Sequence, residues 1–415
     1  MKRGAIKEEI KTALIVILAV SAVFLAAKTG LFNEFFASIP RALSPEPTAE
    51  AEEPGRTGEA CRPLTIVLTG DSGLHCCVRY SDEALDEVYS KLENLLGEAL
   101  GSSSEPAAAS GGELRSALGG AGVFFDFRVP VPLSALADWL GSEMLRRNDT
   151  AAARILLVSD GGDGVELWYE DTDGAVWRCG TASGFAALRS RIAEYQPNGA
   201  SFAFEDAEYA GLDPYCVISP GEVVLSAVSV GVPAQADAEK ALLGAFGYER
   251  FAGNSYPEAD GTTVYVGDGS ILRIYPGGEA LFRVTEPAAG GYTAPGEAIE
   301  LARRAVRVSA GAFSGDARVW LTGIEASSQG ACTVTFGYVI DGVRVSGTEA
   351  ASVEVRGGAV TQARITLRTY TAGEGVTLLP EPQAAAVAQE KLPGGTLFPV
   401  YTERAPELVP AWTVG

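Results

Sequence analysis

Sixteen consecutive uncharged residues, Thr12–Ala27 (TALIVILAVSAVFLAA), stand between Lys11 and Lys28 near the start of this 415-residue chain. A helix rises about 1.5 Å per residue, so the run covers about 24 Å of a hydrocarbon layer about 30 Å thick. The flanking lysines can snorkel, and Leu31, Phe32, Phe35 and Phe36 extend the apolar contact. Lys2, Arg3, Lys7 and Lys11 precede the run, and such basic flanks stay on the cytoplasmic side. The pattern predicts a cytoplasmic basic tail over 1–11 and a single-pass transmembrane anchor over 12–32. The bulk of the chain is then extracytoplasmic. The rival reading is a cleaved signal peptide, but Leu25-Ala26-Ala27 is a poor cleavage site and Phe35-Phe36-Ala37 a worse one. With no cysteine near the end of the run, a lipoprotein anchor is excluded. A buried soluble helix is opposed by the basic flank and the uncharged interior.

Net charge is −21. Met1–Lys28 carries five basic and two acidic residues, a net +3, so the remainder carries −24. A surface that acidic argues against nucleic acid and anionic lipid as partners. Spread negative charge also keeps a domain soluble, which is the plainer reading. The six cysteines (Cys61, Cys76, Cys77, Cys179, Cys216, Cys332) form no CxxC pair, and the chain is too long for a small disulfide scaffold. Adjacent Cys76 and Cys77 face opposite sides of a strand. Most of the six read as buried free thiols.

Residues 38–60, rich in Pro, Glu and Ala without apolar periodicity, read as an extended stalk. Three α+β segments follow, at 61–220, 221–290 and 291–415. In the first, Leu64–Leu68 and Leu74–Tyr80 are strands around a turn at Thr69–Gly73. Ser81 N-caps a helix that ends at Gly101, with a stripe of Leu85, Val88, Tyr89, Leu92, Leu95, Leu96 and Ala99. Gly101–Gly112 reads as a polar loop. A strand over Val123–Val129 precedes a helix over Leu133–Arg147, and further strands fall at Arg154–Ser159, Val165–Tyr169 and Ala175–Gly180. The second and third segments look like a weak repeat. Helices near Ala236–Phe246 and over Glu297–Val308 each precede an antiparallel meander with an Asp-Gly turn (Asp260-Gly261, Asp341-Gly342). The third meander comprises Trp320–Glu325, Thr333–Ile340, Val343–Val345, Ala351–Val355 and Ala363–Tyr370. The fold class is α+β: one transmembrane helix, then domains of antiparallel sheet and helix.

Four motifs invite chemical readings. Gly70-Asp71-Ser72-Gly73 matches the segment around a serine-protease nucleophile, but that chemistry needs a separate histidine base and an orienting acid. The chain's one histidine, His75, lies three residues from Ser72, so both are read as parts of a hairpin. His75-Cys76-Cys77 has metal-ligand residue types, but successive strand residues alternate faces and at most two converge. Asp160–Gly164 and Asp171–Gly174 lack the carboxylate array of an EF-hand and read as hairpin turns. No phosphate loop, dinucleotide fingerprint or HExxH appears. No catalytic, cofactor or metal residues are assigned, and the chain is expected not to be an enzyme.

The chain resembles the YycH/YycI family of membrane-anchored regulators of low-GC Gram-positive bacteria, as a divergent clostridial-type member. The likeness begins with the anchor (Ile6-Lys7, Ile10–Leu14) and continues through Ile66–Tyr80 and the helix to Leu100. Phe124–Phe127, Pro132-Leu133, Trp139-Leu140, Pro197–Ala200, Phe202–Glu205 and Leu212–Tyr215 fit the first domain. Tyr256, Asp260–Thr262, Phe336–Tyr338 and Asp341–Val343 fit the later modules, and Leu378–Pro380 with Val409–Trp412 the ending. The resemblance implies PepSY/cystatin-like domains toward the C-terminus. It also implies modulation of a sensor histidine kinase of a cell-wall two-component system, of the WalK/YycG type, alongside a related accessory protein and partly through transmembrane contacts. The alternative is an extracytoplasmic ligand-binding or peptidase-inhibitory PepSY-like module, and a third reading is an unrecognised hydrolase. Within the anchor, Ala19, Ala22 and Ala26 share one helical face, and small residues favour close helix packing.

N-terminal sequencing of the membrane-extracted protein is expected to return an uncleaved start. A mature chain beginning after Ala27 would overturn the anchor.

Overall fold

The uninterrupted apolar runs that follow Cys61 are explained by a sheet that is buried on both faces. In the computed structural model, residues 61–415 are described except 146–147, 252, 288–290, 328–329 and 405–406. They belong to one compact unit, Glu46–Gly415. The first sheet contains β1 (Thr65–Thr69), β2 (His75–Arg79), β3 (Ala107–Ala109), β4 (Gly122–Pro132), β5 (Ala151–Ser159), β6 (Gly164–Asp171) and β7 (Val176–Gly184). Its order is β2-β1-β4-β5-β6-β7-β3, antiparallel throughout. Alternation sends Ile66, Leu68, Phe125, Phe127, Ile155, Leu157, Leu167 and Tyr169 to one face. That face is covered by α1 (Asp82–Gly101), α3 (Leu133–Trp139) and α4 (Phe185–Ile192). Val67, Phe124, Leu156, Val158 and Trp168 point the other way, onto α2 (Gly111–Leu118) and the segment around Phe202, Tyr215 and Val217. With both faces covered, each central strand reads as a solid hydrophobic run, which in a half-exposed sheet would alternate.

Helix α1 follows its sequence signals. The Ser81 side chain accepts from the Ala84 N–H at 3.3 Å, and the stripe is buried at Leu85, Val88, Tyr89, Leu92, Leu96 and Ala99, with Leu95 half-buried. Other elements depart from expectation. The helix expected over Leu133–Arg147 stops at Trp139, where Gly141 at φ +73° supplies the left-handed exit. The expected polar loop Gly101–Gly112 contains edge strand β3. It also leads into α2, which carries a full capping box between Ser110 and Glu113.

The second sheet takes β10 (Val224–Gly231), β11 (Ser255–Pro257), β12 (Thr263–Gly267), β13 (Ser270–Ile274), β14 (Glu279–Val284), β15 (Arg318–Ala326), β16 (Ala331–Ile340), β17 (Val343–Arg356), β18 (Ala359–Thr366), β19 (Thr369–Thr377), β20 (Leu397–Arg404) and β21 (Glu407–Val414). A two-stranded ribbon, β8 (Ser201–Phe202) with β9 (Val217–Ile218), lies between the sheets in sequence. The repeat read from sequence is visible: α5 (Gln235–Ala245) precedes the meander β11–β14, and α6 (Pro295–Val308) precedes β15–β18. The last strands of the two meanders, β14 and β18, pair with each other, so both halves share one sheet. The predicted strands Val343–Val345 and Ala351–Val355 are one long strand, β17, whose pairing with β16 shifts register. The run Ala363–Tyr370 is instead divided between β18 and β19. Among the described strands, β17 with β20 is the parallel pairing, and an isolated bridge between Gly315 and Tyr370 is parallel as well. Helix α7 (Glu381–Lys391) buries Ala384, Ala385 and Ala388 against Leu212, Cys216, Ile218 and Leu397.

Buried charge links the N-terminal sheet to the C-terminal part. Arg79 at the end of β2 meets Glu381 at the start of α7, with side chains 5% and 1% exposed. Arg79 also donates to the Val217 carbonyl (2.9 Å) and the Ser219 hydroxyl (3.0 Å), while Glu381 accepts from the Ser219 N–H (2.7 Å) and the Tyr80 hydroxyl (3.1 Å). On α1, Asp86 receives Arg318 of β15 at 2.8 Å, and the Asp82 carboxylate accepts from the Gly342 N–H at 3.0 Å. All six cysteines are free, and Cys76 and Cys77 pack into different clusters on the two sides of β2.

Removing one partner of a buried pair strands the other charge, which typically costs about 3–5 kcal/mol. Glu381→Ala and Arg79→Ala are each expected to lower stability by about that amount. Urea unfolding should show a double variant costing far less than the sum of the two. Additive losses would mean the two side chains act independently.

Candidate functional site

The sequence-singled residues do not assemble a reaction centre. His75 is 4% exposed and Thr69 3% exposed. The Thr69 hydroxyl lies 2.9 Å from His75 Nδ1, and His75 Nε2 lies 2.9 and 3.1 Å from the two oxygens of Glu205. The ring also meets Phe202 edge-on at 5.1 Å. The histidine therefore has an acidic partner in Glu205. Glu205 lies 130 residues further along the chain, so spacing held no sign of it. Both ring nitrogens are occupied by Thr69 and Glu205, and Ser72 sits exposed on the turn before β2. Asn198 doubles this clasp: its side chain accepts from the Cys77 N–H (3.1 Å) and donates to the Cys77 carbonyl (2.8 Å). It thus covers the open edge of β2, a strand edge that would otherwise invite pairing with another chain.

The two acidic turns close on themselves. Asp160 accepts from the N–H groups of Gly162 and Gly164, and Asp171 from those of Asp173 and Ala175. The Asp171 carboxyl is held below its usual range, first by the Trp177 indole N–H, which it accepts at 2.7 Å. Among the described residues, no group of three or more His, Cys, Asp or Glu is placed to hold a metal ion. Ala19, Ala22 and Ala26 lie outside the described residues.

What the fold does build is a cleft of about 350 Å³ between the two sheets, with Tyr80, Asp126, Arg128, Arg154, Arg344 and Phe398 in its wall. The non-glycine residues at positive φ among those described are Tyr80 (60°), Arg128 (61°) and Asp341 (51°). All three are at this cleft: Tyr80 and Arg128 line it, and Asp341 precedes the lining Gly342. An Asp-Gly hairpin turn accounts for Asp341. For Tyr80 and Arg128 the left-handed conformation is strained, and such strain persists only where surrounding contacts enforce it. Tyr80 is held by its hydroxyl on Glu381, by Arg79 stacked 4.7 Å from its ring and by Trp412 at 6.2 Å. Arg128 sits in a register break between β4 and β5. Its N–H reaches Asp126 at 2.8 Å, its Nε reaches the same carboxylate at 3.1 Å, and its guanidinium lies 5.6 Å from the Phe398 ring centre.

The charges of the cleft are unevenly matched. Arg154 is raised above its ordinary value: burial works against its charge, but Asp126, Asp213 and Glu170 outweigh it. Arg154 meets Asp213 at 2.5 Å and Glu170 at 3.4 Å. Burial raises the Glu170 carboxyl, and Arg154 opposes the shift only in part. Arg344, on β17 opposite Val400 of β20, is held below its ordinary value by burial and by the charge of Arg128. The sequence carried no signal for this convergence, because Tyr80, Arg128, Arg154 and Arg344 belong to four separate strand regions.

No family model matches the sequence, and no curated protein does. The fold is similar to that of a solved structure, YycH from Bacillus subtilis, with a TM-score of 0.57 and 12% identity. The match covers 86% of this chain and 94% of that one. At this identity the likeness is one of fold, a YycH-like mixed α+β arrangement.

A fluorophosphonate probe for activated serines is expected to leave the purified protein unlabelled. Labelling that disappears in Ser72→Ala would reverse the structural reading of Ser72 and His75.

Proposed function

We propose that this chain is a non-enzymatic, membrane-anchored regulator whose extracytoplasmic part modulates a sensor histidine kinase of a cell-wall two-component system. The observation that carries the reading is the fold likeness to YycH across 94% of that protein's chain. The residue-level resemblance gains support because its diffuse motifs have structural jobs. Asn198 clasps the edge of β2, Asp213 anchors Arg154, and the Asp341-Gly342 turn docks on Asp82. The Thr69–His75–Glu205 cluster supports a non-enzymatic role, since the chain's one histidine is committed to internal bonds.

In this reading the apolar run Thr12–Ala27 places the regulator beside the kinase, and Ala19, Ala22 and Ala26 form the face that packs on a partner helix. A WalK/YycG-type kinase is the partner proposed, with a related accessory protein beside it. The acidic, Pro-rich stalk at 38–60 holds the folded part near the membrane surface.

Replacing Ala19, Ala22 and Ala26 together with leucine keeps the segment apolar but blocks close approach. In cells with matched protein levels, this variant and a deletion of residues 61–415 are both expected to shift the output of a reporter for the two-component system. An unchanged output in the leucine variant, with a shift on deletion, would reduce the helix to a tether. Unchanged output in both would remove the regulatory reading.

A further inference from the structure

We propose that the cleft between the two sheets is a binding site for an oxyanion, a carboxylate or phosphate group, seated between Arg344 and Arg128. This inference stands apart from the regulatory reading, because it rests on the chemistry of the cleft alone.

Arg344 is the starting point. It is half-buried, and among the described residues its guanidinium has no hydrogen-bond or ion-pair partner. A charge withdrawn from water is costly unless it is paired, so a fold that keeps one unpaired has left a place for a counter-ion. Its neighbour makes the imbalance worse. Arg128 is close enough that its charge disfavours the charged form of Arg344. Arg128 engages Asp126 through its backbone N–H and its Nε, while its two terminal nitrogens bond to no described residue. Two guanidinium groups thus present unengaged N–H donors to one cavity, a fork geometry suited to carboxylate and phosphate oxygens.

Four carboxylates nearby are already committed. Asp126 is held by Arg128, Glu170 and Asp213 are shared by Arg154, and Asp171 accepts the Trp177 indole N–H and two N–H groups of its own turn. Among the described residues none of these pairs with Arg344, nor do Asp341 and Gly415, which also stand at the cleft. The walls suit a ligand with an organic body, since Phe398, Pro130 and Pro399 face the same space. The cost of holding Tyr80 and Arg128 at positive φ fits a site whose geometry is imposed before the ligand arrives. The chain's net charge of −21 repels anions at long range, but that field is screened over about 8 Å at physiological salt. Affinity must therefore come from contacts inside the cleft.

The test titrates the full-length protein in detergent with inorganic phosphate or with succinate, at ionic strength held constant with chloride. Thermal unfolding and calorimetry are the readouts. At least one probe is expected to raise Tm saturably, by about 3 °C at 100 times its Kd. Phosphate alone would indicate a phosphoryl ligand, and succinate alone a carboxylate. Arg344→Gln is expected to weaken binding at least tenfold while leaving Tm without probe equal or higher, because an unpaired cation has gone. Arg344→Lys should bind with intermediate affinity. Arg364→Gln, at an exposed position on β18, should bind like the parent. If Arg344→Gln folds poorly, Arg128→Gln carries the same expectation of lost binding. The proposal is overturned if neither probe produces a saturable effect, or if binding survives unchanged in both glutamine variants of the cleft.

Discussion

The contact between Arg79 and Glu381 organises much of this molecule. It ties the end of β2 to the start of α7, some 300 residues away in sequence, in surroundings where neither side chain meets water. A pair so enclosed is tolerable only with further hydrogen bonds around it, and here Val217, Ser219 and Tyr80 supply them. Several consequences follow from that requirement. The 217–219 segment must lie against the edge of the first sheet, and α7 must start where the two sheets meet. The Tyr80 hydroxyl meets Glu381 from a backbone held at positive φ. The strained wall of the cleft is thus one end of the network that holds the chain's two halves together.

The second organising constraint is the two-sided burial of the first sheet. Ile66 and Val67 are neighbours in sequence and members of different cores, as are Phe124 and Phe125. Each face needs its own cover, so the sheet recruits α1, α3 and α4 on one side and α2 with the 198–218 segment on the other. This explains why a stretch with little secondary structure between α4 and β10 still buries Ala200, Phe202, Tyr215 and Val217: they cover the second core. The larger sheet solves its coverage differently. Two helix-plus-meander units join through β14 and β18, and α5 and α6 pack beside one another.

Much of the local structure was legible because its causes are local. Ser81 capping α1, the turns at Gly70–Gly73 and Asp341-Gly342, the opposed faces of Cys76 and Cys77, and the helix-then-meander repeat all depend on spacings of a few residues. The misses have a common source. Helix α3 ends early at Gly141, although its apolar period invites extension to Arg147. The Ser110…Glu113 capping signal lay inside a stretch dominated by Gly, Ser and Ala and was read as loop. The unity of β17 could not be seen, since a parallel partner far along the chain, β20, supports its first half.

The division between sequence and structure therefore follows the range of the forces. By itself the sequence determined where apolar runs, caps and turns fall, and with them the α+β class. It also pointed to the YycH-like fold through turn and core positions. Only the tertiary structure decided which charges meet. Glu205 finds His75, Glu381 finds Arg79, and Arg128 comes to rest beside Arg344. Hydrophobic periodicity places a residue on a face but says nothing of what faces it across a sheet boundary. Electrostatic partners are chosen by through-space distance after the layers have packed, so the pairings that define the cleft exist only in the folded chain.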